Sequence, residues 1–186
     1  MKILFLGPPG AGKGTQATLV HEEKQFPLLT MGDMLRQAVK RGDEVGKQAE
    51  SFMSKGALVP DEVVTKVILQ CLSPENGLEK SFILDGYPRN LSQAHALDEH
   101  LTKQNMPLDI VLFFSVPDEI VKQRIMGRED GRPEDQDPNV TAKRLEEYKQ
   151  KTLPLVDFYK QKNILKEIDA NRSKEEVFAT TISLLQ

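Results

Sequence analysis

The first fifteen residues, MKILFLGPPGAGKGT, constrain the fold more than any other part of the chain. Residues 2–6 form a continuous apolar run, which is typical of a strand buried on both faces of a parallel sheet. A glycine-rich turn follows this run, and a helical segment then extends from Lys13 to Lys24. The order of strand, tight turn and helix predicts the first unit of an α/β fold.

The rest of the chain continues this alternation. Apolar runs predict four more strands, and segments with apolar residues three and four positions apart predict helices between them. The predicted strands cover residues 26–30, 81–84, 109–116 and 163–168, and the predicted helices cover 31–39, 43–53, 61–72, 90–104, 117–126, 140–160 and 173–185. The sequence therefore predicts a three-layer α/β fold with a five-stranded parallel sheet. The surplus helical segment between strands two and three is predicted to be a small insert.

Four residues are predicted to begin or interrupt helices. Asp43 has the character of a helix cap, and Ser173 with Glu176 has the spacing of a capping box. Pro154 cannot donate a backbone hydrogen bond, so it is expected to kink or split the helix at 140–160.

The composition excludes several classes of protein. The net charge is -3 and no run of Lys and Arg occurs, so nothing indicates binding to nucleic acid or to a membrane surface. Hydrophobic residues make up 39% of the chain, but no apolar run approaches the roughly 18 residues of a membrane-spanning helix. The start also lacks the long apolar region of a signal peptide, and a cytoplasmic protein is predicted.

The single cysteine, Cys71, excludes an internal disulfide and a cysteine-based structural zinc site. It lies among apolar residues at helical spacing and is predicted to be a buried thiol. His21, His95 and His100 lie on predicted helices without the spacing of metal ligands, and all three are predicted to be surface residues.

The segment GPPGAGKGT, residues 7–15, has the context of a phosphate-binding loop because it follows a buried strand and opens a helix. Its glycines permit backbone conformations closed to other residues, and the backbone N–H groups with the helix N-terminus favour an anion. Lys13 adds a positive charge. The usual pattern has Ser or Thr directly after the lysine, whereas here Gly14 precedes Thr15. The alternative is a glycine-rich turn without a ligand, which the lysine at this place argues against.

Asp85 lies at the carboxyl end of the third predicted strand, in SFILDGYPR. Open parallel sheets bind ligands at that edge. A carboxylate there can hold Mg²⁺ through water molecules of its coordination shell. The alternative is an aspartate that only caps a helix or a turn.

Three motifs carry a family resemblance: GPPGAGKGTQA, GDMLR and FILDGYPRN. Together they resemble the adenylate kinases, which are nucleoside monophosphate kinases with a P-loop fold, and RLEEYKQKT is similar to a late helix of that family. The resemblance extends from Met1 to the last helix. It implies a core at residues 1–29, 60–126 and 140–186, an AMP-binding insert at 30–59 and a lid at 127–139. The lid would be the short form, because this chain has no room for the longer β lid.

The resemblance also implies contacts to two nucleotides. ATP would be bound by Gly10, Ala11, Gly12, Lys13, Gly14, Thr15, Arg124, Arg128 and Arg172. AMP would be bound by Met31, Arg36, Ala57, Leu58, Val59, Gly86, Tyr87, Pro88, Arg89, Gln93, Arg132 and Arg144. Guanidinium groups suit phosphates because they donate two parallel hydrogen bonds, and the Gln93 amide can both donate to and accept from an adenine edge. Arg124 would stack on the ATP adenine or assist the lid.

The implied reaction is ATP + AMP ⇌ 2 ADP with Mg²⁺, a transferase reaction of adenine nucleotide homeostasis carried out by a monomer. AMP offers an ionised phosphate oxygen, so catalysis needs positioning and charge stabilisation but no general base. The catalytic set would be Lys13, Asp85, Arg89, Arg128, Arg132 and Arg144. Two alternatives are a UMP/CMP kinase of the same fold and a nucleotide-binding protein without catalysis. The second would be expected to lack Lys13, Asp85 or a phosphate-binding arginine, and the sequence has all of them.

Met31 departs from the family pattern, which has Thr or another small residue beside the AMP base. A methionine cannot make the hydrogen bond of a threonine hydroxyl, but it can pack against a purine. The substitution Met31→Thr is therefore predicted to keep turnover and to change mainly the Michaelis constant for AMP.

The lid segment GREDGRPEDQDPN contains no aliphatic or aromatic residue. Gly127 and Gly131 allow bending, and Pro133 and Pro138 restrict where it occurs. Its Arg residues would point at the phosphates on closure, and Glu134 and Asp135 are aligned with acids of the family lid. The segment is expected to be mobile without nucleotide and ordered with it.

Overall fold

The structure of the chain is a computed structural model that describes residues 1–42, 44–53, 59–72, 78–126 and 138–186. Five strands form one parallel sheet in the order β2-β3-β1-β4-β5. The strands are β1 (Lys2–Leu6), β2 (Leu28–Thr30), β3 (Phe82–Asp85), β4 (Ile110–Ser115) and β5 (Leu165–Asp169). The predicted α/β architecture with five parallel strands is confirmed.

Helices alternate with these strands along the chain. They are α1 (Lys13–Lys24), α2 (Met31–Arg41), α3 (Glu44–Met53), α4 (Asp61–Cys71), α5 (Leu91–Lys103), α6 (Asp118–Met126), α7 (Pro138–Glu147), α8 (Pro154–Gln161) and α9 (Lys174–Ser183). Two of them, α2 and α3, lie between β2 and α4, where the sequence predicts an insert. The division of the chain into core, insert and lid remains a prediction.

The central strand β1 is buried on both faces. Leu4 and Leu6 pack into a core that includes residues of α4, α5 and α8, whereas Ile3 and Phe5 pack into a second core that includes residues of α1 and α9. All four side chains are at most 2% exposed. This explains why the strand is a continuous apolar run, and it places the turn after Leu6 at the middle of the sheet edge.

Pro154 divides the last long helical region as predicted. A π-helical segment, Tyr148–Thr152, joins α7 to α8, and the backbone N–H of Leu153 donates to the carbonyl of Tyr148 at 2.9 Å. Proline lacks the N–H that would continue the α-helical ladder, and the wider turn accommodates its ring. The side chain of Thr152, at the end of this segment, reaches the candidate site described below.

The start of α9 agrees with the sequence prediction. Ser173 and Glu176 form the predicted capping box of α9, with the Glu176 N–H donating to Ser173 Oγ and Ser173 N–H donating to the Glu176 carboxylate. The Ser173 hydroxyl and the Ser173 backbone N–H both donate to the Glu176 carboxylate, and these two bonds hold the pKa of Glu176 below its usual value. The predicted cap Asp43 lies outside the described residues.

Two predictions about burial were wrong. Cys71 is half-buried rather than buried, because it lies at the last position of α4, although burial still raises the pKa of the thiol. His100 is also half-buried, because its Nε2 is 2.8 Å from the Leu72 carbonyl oxygen. His21 and His95 are exposed as predicted.

None of the described helices combines the length and the apolar character needed to cross a lipid bilayer.

Candidate functional site

The carboxyl ends of the five strands collect most of the predicted site residues at one edge of the sheet. The loop after β1 carries Lys13, the turn after β3 carries Arg89, and the segment after β5 carries Arg172. Parallel strands bring these segments together because all their carboxyl ends lie on the same side. The sequence separates these three residues widely, and the topology brings their segments to one edge.

The loop after β1 has the backbone conformation that its glycines predict. Gly10 and Gly12 have φ values of 82° and 84°, a region that other residues adopt only with strain. A Cβ at Gly7 would lie 2.7 Å from the carbonyl oxygen of Phe114, whereas a Cβ at Gly12 would meet nothing within 4 Å. Gly7 also has a positive φ, of 149°, so it is required both by its backbone conformation and by close packing against β4, whereas Gly12 is required by the turn alone.

Lys13 begins α1 and folds back over the loop. Its Nζ donates to the carbonyl oxygens of Gly7 at 2.8 Å and Pro8 at 2.7 Å. Within the described part of the chain, no side chain caps the N-terminus of α1, and its first turn carries no acidic residue. The N–H groups of that turn and the ammonium group together provide a positive environment suited to a phosphate.

Asp85 is the last residue of β3 and is only 9% exposed. It is paired with Phe5 of β1 and with Thr30 of β2 at the sheet edge. A Cβ at Gly14 would lie 3.7 Å from Asp85 Oδ2, so the carboxylate faces the first turn of α1. A carboxylate oxygen beside a phosphate loop is the donor chemistry that Mg²⁺ prefers, and the residues present fit that ion.

No group of three or more His, Cys, Asp or Glu residues that could hold a metal ion occurs in the part of the chain that the structure describes. Mg²⁺ in phosphate-transfer sites is commonly held by one or two carboxylates together with substrate phosphates. A single protein carboxylate at Asp85 is therefore compatible with this ion. The expectation that the protein has no structural zinc remains a prediction.

The turn after β3 brings three predicted AMP-binding residues together. Gly86 has a φ of 84°, and a Cβ placed on it would lie 3.7 Å from Met31 Cβ and 3.8 Å from Arg89 Nη2. Arg89 Nε donates to the Gly86 carbonyl at 2.9 Å, which turns the guanidinium back toward the sheet edge. Met31 is only 2% exposed, so a base could contact its side chain only after a local opening.

The backbone of Arg89 is held on both sides. Its N–H donates to Gln93 Oε1 at 2.7 Å, and its carbonyl accepts from Thr152 Oγ1 at 2.7 Å. The Thr152 contact joins residues 63 positions apart and connects the π-helical segment to the turn after β3. Because both hydrogen bonds fix the backbone of Arg89, its side chain starts from a fixed Cα position, which favours a role in binding an anion.

Gln93 is buried, at 4% exposure, and both ends of its amide make internal hydrogen bonds. Its Oε1 accepts from Arg89, and its Nε2 donates to Asp61 Oδ1 at 2.7 Å. Asn90 caps α5 by accepting from the Gln93 N–H, and its Nδ2 donates to the other Asp61 oxygen at 2.6 Å. The sequence prediction missed Asp61, Asn90 and Thr152. The available signals were an Asp and an Asn at the starts of two predicted helices.

The remaining predicted AMP residues are less completely described. Arg36 is exposed and pairs with Asp33 one turn earlier on α2, while Thr30 Oγ1 donates to the second oxygen of Asp33 at 2.7 Å. Val59 is buried, and so are Tyr87 and Pro88, which are joined by a cis peptide bond. The residues of the predicted set that lie outside the described part of the chain are Ala57, Leu58, Arg128 and Arg132.

Two residues that the resemblance implies for ATP, Arg124 and Arg172, lie beside β5, at the opposite end of the strand order from β2. Arg124 Nη1 donates to the Ala170 carbonyl at 2.9 Å, which joins α6 to the segment after β5. Arg172 is exposed, and its Nε donates to Asp169 Oδ2 at 3.0 Å. Arg144 is half-buried on α7, the helix that follows the predicted lid.

The fold and the site together define a nucleotide-binding protein of the P-loop class: a phosphate loop at the centre of a parallel sheet, with a buried aspartate at the end of the neighbouring strand. A comparison with protein families matches residues 5–164 to adenylate kinase. Curated relatives named adenylate kinase include one from Leptospira biflexa, 44% identical, with 97% of each chain covered. Others are from a Synechococcus strain, 44% identical with 100% of this chain and 96% of the relative covered, and from Archaeoglobus fulgidus, 41% identical with 100% and 98% covered. The chain belongs to the adenylate kinase family.

Proposed function

We propose that the protein transfers the terminal phosphoryl group of ATP to AMP and forms two molecules of ADP. One observation carries this proposal: two structures suited to phosphate lie on adjacent strands. The loop after β1 presents Lys13 and the N-terminus of α1, and the turn after β3 presents Arg89. Two phosphate-binding features at one sheet edge suit a donor and an acceptor nucleotide, whereas a simple nucleotide-binding protein needs only the first.

The reaction breaks the bond between the terminal phosphorus of ATP and the oxygen that bridges to ADP. A new bond forms between that phosphorus and a phosphate oxygen of AMP, which is already ionised, so no proton has to be removed from the nucleophile. The protein therefore acts by alignment and by spreading negative charge. In this mechanism Lys13 neutralises charge on the ATP phosphates, and Arg36 and Arg89 bind the AMP phosphate.

Mg²⁺ bound near Asp85 would neutralise charge on the ATP phosphates and help to orient them. Asp85 would hold the ion through water, as its position beside Gly14 and its burial suggest. Its low exposure limits competition from bulk water for the carboxylate. The contacts that the resemblance implies for Arg124, Arg128, Arg132, Arg144 and Arg172 remain predictions.

The hydrogen bonds of Gln93 favour adenine as the acceptor base, provided that the base can reach this buried side chain. Each amide atom makes one internal hydrogen bond and keeps a second bonding position, because an amide oxygen accepts two bonds and an amide nitrogen donates two. An adenine edge that offers one donor and one acceptor could use both remaining positions. Since Gln93 is buried, AMP must enter together with a local opening of the turn or of α4.

The test is an assay of ADP formed from ATP with AMP, UMP, CMP or GMP as acceptor. We expect kcat/KM for AMP to exceed that for UMP by about a hundredfold or more, because the wrong base leaves the remaining bonding positions of the buried Gln93 amide unused. A preference for UMP or CMP would replace this proposal with the pyrimidine kinase alternative. Binding of ATP and AMP without turnover would replace it with the non-catalytic one. The cytoplasmic location and the monomeric state remain predictions from the sequence.

A further inference from the structure

Asp61 is an exposed residue outside the predicted site, yet it is the point where α4 meets the turn that carries Arg89. It is the first residue of α4 and lies two positions after Val59, the last residue of the predicted insert. Its two carboxylate oxygens accept from Asn90 Nδ2 at 2.6 Å and from Gln93 Nε2 at 2.7 Å. One carboxylate therefore joins the end of the insert to the first turn of α5.

This contact determines which way the Gln93 amide points. A carboxylate can only accept, so it selects the Nε2 end of the amide, and the Arg89 N–H can only donate, so it selects the Oε1 end. The two neighbours agree on one orientation. If the amide turned over, Nε2 would face the Arg89 N–H, and two donors would oppose each other in a buried place.

We propose that Asp61 is a positioning residue for the acceptor nucleotide. Asp61 fixes the Gln93 amide in the orientation that can pair with adenine. Through Gln93 it also fixes the backbone of Arg89, whose guanidinium binds the acceptor phosphate. This inference rests on the proposed function, because it assigns Gln93 and Arg89 to AMP. Asp61 itself does not touch the reacting atoms.

The chemistry of the contact explains why a carboxylate is needed at position 61. In the structure, Asn90 Nδ2 and Gln93 Nε2 each face a different oxygen of Asp61. With Asp61→Asn, one of these two positions would become an NH₂ group, so one of the two donors would face another donor. Turning Asn90 over would remove the cap on the Gln93 N–H, and turning Gln93 over would place its NH₂ group against Arg89. Every arrangement of the single variant leaves one donor opposed to another.

An exchange of the two groups restores the pattern. In the double variant Asp61→Asn with Asn90→Asp, the new Asp accepts from the Gln93 N–H and from the new Asn, and the new Asn accepts from Gln93 Nε2. All three hydrogen bonds are retained with their donors and acceptors matched, and Asp is as good a helix cap as Asn. The single variant Asn90→Asp instead places two carboxylates against each other. The double-mutant cycle therefore contains two single variants with a mismatched contact and one double variant with the contact restored.

The experiment measures kcat and both Michaelis constants in the ATP and AMP assay for the wild type, the two single variants and the double variant. We expect each single variant to raise KM for AMP about tenfold, since one hydrogen bond to a charged group is lost, and to leave KM for ATP within about twofold. We expect the double variant to return KM for AMP to within about twofold of the wild-type value. Thermal unfolding of all four proteins separates this effect from a loss of stability.

Several outcomes would overturn the inference. They are an unchanged KM for AMP in Asp61→Asn, an equal rise in both Michaelis constants, and a double variant that is as impaired as the worse single variant or does not fold. If a single variant fails to fold, the double variant still decides, because the exchange is required to restore the contact. A wild-type protein that forms no ADP from ATP and AMP would reject the proposed function instead, and AMP binding measured by calorimetry would then test the positioning role alone.

Discussion

The phosphate loop and the α4–α5 junction, formed by Asp61, Asn90 and Gln93, are built in different ways. In the loop, Lys13 bonds to carbonyl oxygens only six and five positions earlier in the chain. In the junction, Asp61 bonds to side chains 29 and 32 positions later. The loop is therefore a property of one short segment, whereas the junction exists only after two helices have packed together.

This difference determines how each region can be changed. The loop depends on backbone conformations that few residues other than glycine adopt, so single substitutions have no partner that could compensate them. The junction depends on matched donors and acceptors, so a mismatch at one residue can be corrected at another. Single substitutions should thus be harmful throughout the loop. In the junction they should be harmful mainly where they mismatch hydrogen-bond donors and acceptors.

The largest effect is expected at the lysine of the loop. Lys13→Ala removes the positive charge from the phosphate-binding environment, and we expect kcat to fall about 10³-fold because the charge that develops on the phosphates is no longer neutralised. Steady-state kinetics with ATP and AMP measure this. Lys24→Ala, at the other end of the same helix, is the matched control and should leave kcat within about twofold. Wild-type turnover by Lys13→Ala would show that the loop does not act on the transferred phosphate.

The second effect separates the two structural demands on the glycines. Gly7→Ala places a Cβ 2.7 Å from the Phe114 carbonyl oxygen, and we expect it to lower the free energy of unfolding by about 3 kcal/mol. Gly12→Ala introduces only backbone strain, with nothing within 4 Å of the new atom, and should cost about 1 kcal/mol. Urea unfolding measures both. Equal costs for the two variants would contradict the role of close packing at Gly7.

The same contrast explains what could be predicted from the sequence. The five strands, the phosphate loop and the start of α9 were predictable because each has a local pattern, such as the apolar run of β1 or the spacing of Ser173 and Glu176. Asp85 was predictable because it ends a buried strand. Asp61 and Thr152 were not, because their roles depend on contacts between segments far apart in the chain. The burial of Gln93 was missed for the same reason, since α4 covers it.

The third effect tests Met31, which lies beside the turn that carries Arg89. Met31 is 2% exposed and belongs to the core, so Met31→Thr should lower the free energy of unfolding by about 2 kcal/mol, since it leaves a cavity and buries a hydroxyl. Its neighbour Gly86 is part of the predicted AMP site, and KM for AMP should change severalfold while kcat is retained. Met34→Thr, half-buried on the same helix, is the matched control and should affect stability but not KM. A fall in kcat with unchanged AMP affinity would contradict the placement of Met31.

The smallest effect is expected at Thr152, and it tests how far the junction extends. Thr152 Oγ1 donates to the Arg89 carbonyl from the π-helical segment, so the turn after β3 is held from α5 on one side and from the region between α7 and α8 on the other. Thr152→Val keeps the shape and removes the donor. We expect it to lower the free energy of unfolding by about 1 kcal/mol and to raise KM for AMP two- to threefold, since Gln93 still holds the Arg89 N–H.

Thr152→Ser restores the hydroxyl and should restore KM, whereas Thr102→Val, an exposed threonine at the end of α5, controls for the substitution itself. If Thr152→Ser behaves like Thr152→Val, the methyl group rather than the hydrogen bond holds the segment. If Thr152→Val changes neither stability nor KM, the hold on Arg89 comes from α5 alone. If the fold-rise in KM for AMP of Thr152→Val with Asp61→Asn equals the product of the two single rises, the two contacts fix Arg89 independently. A smaller combined rise would mean that they hold one rigid turn.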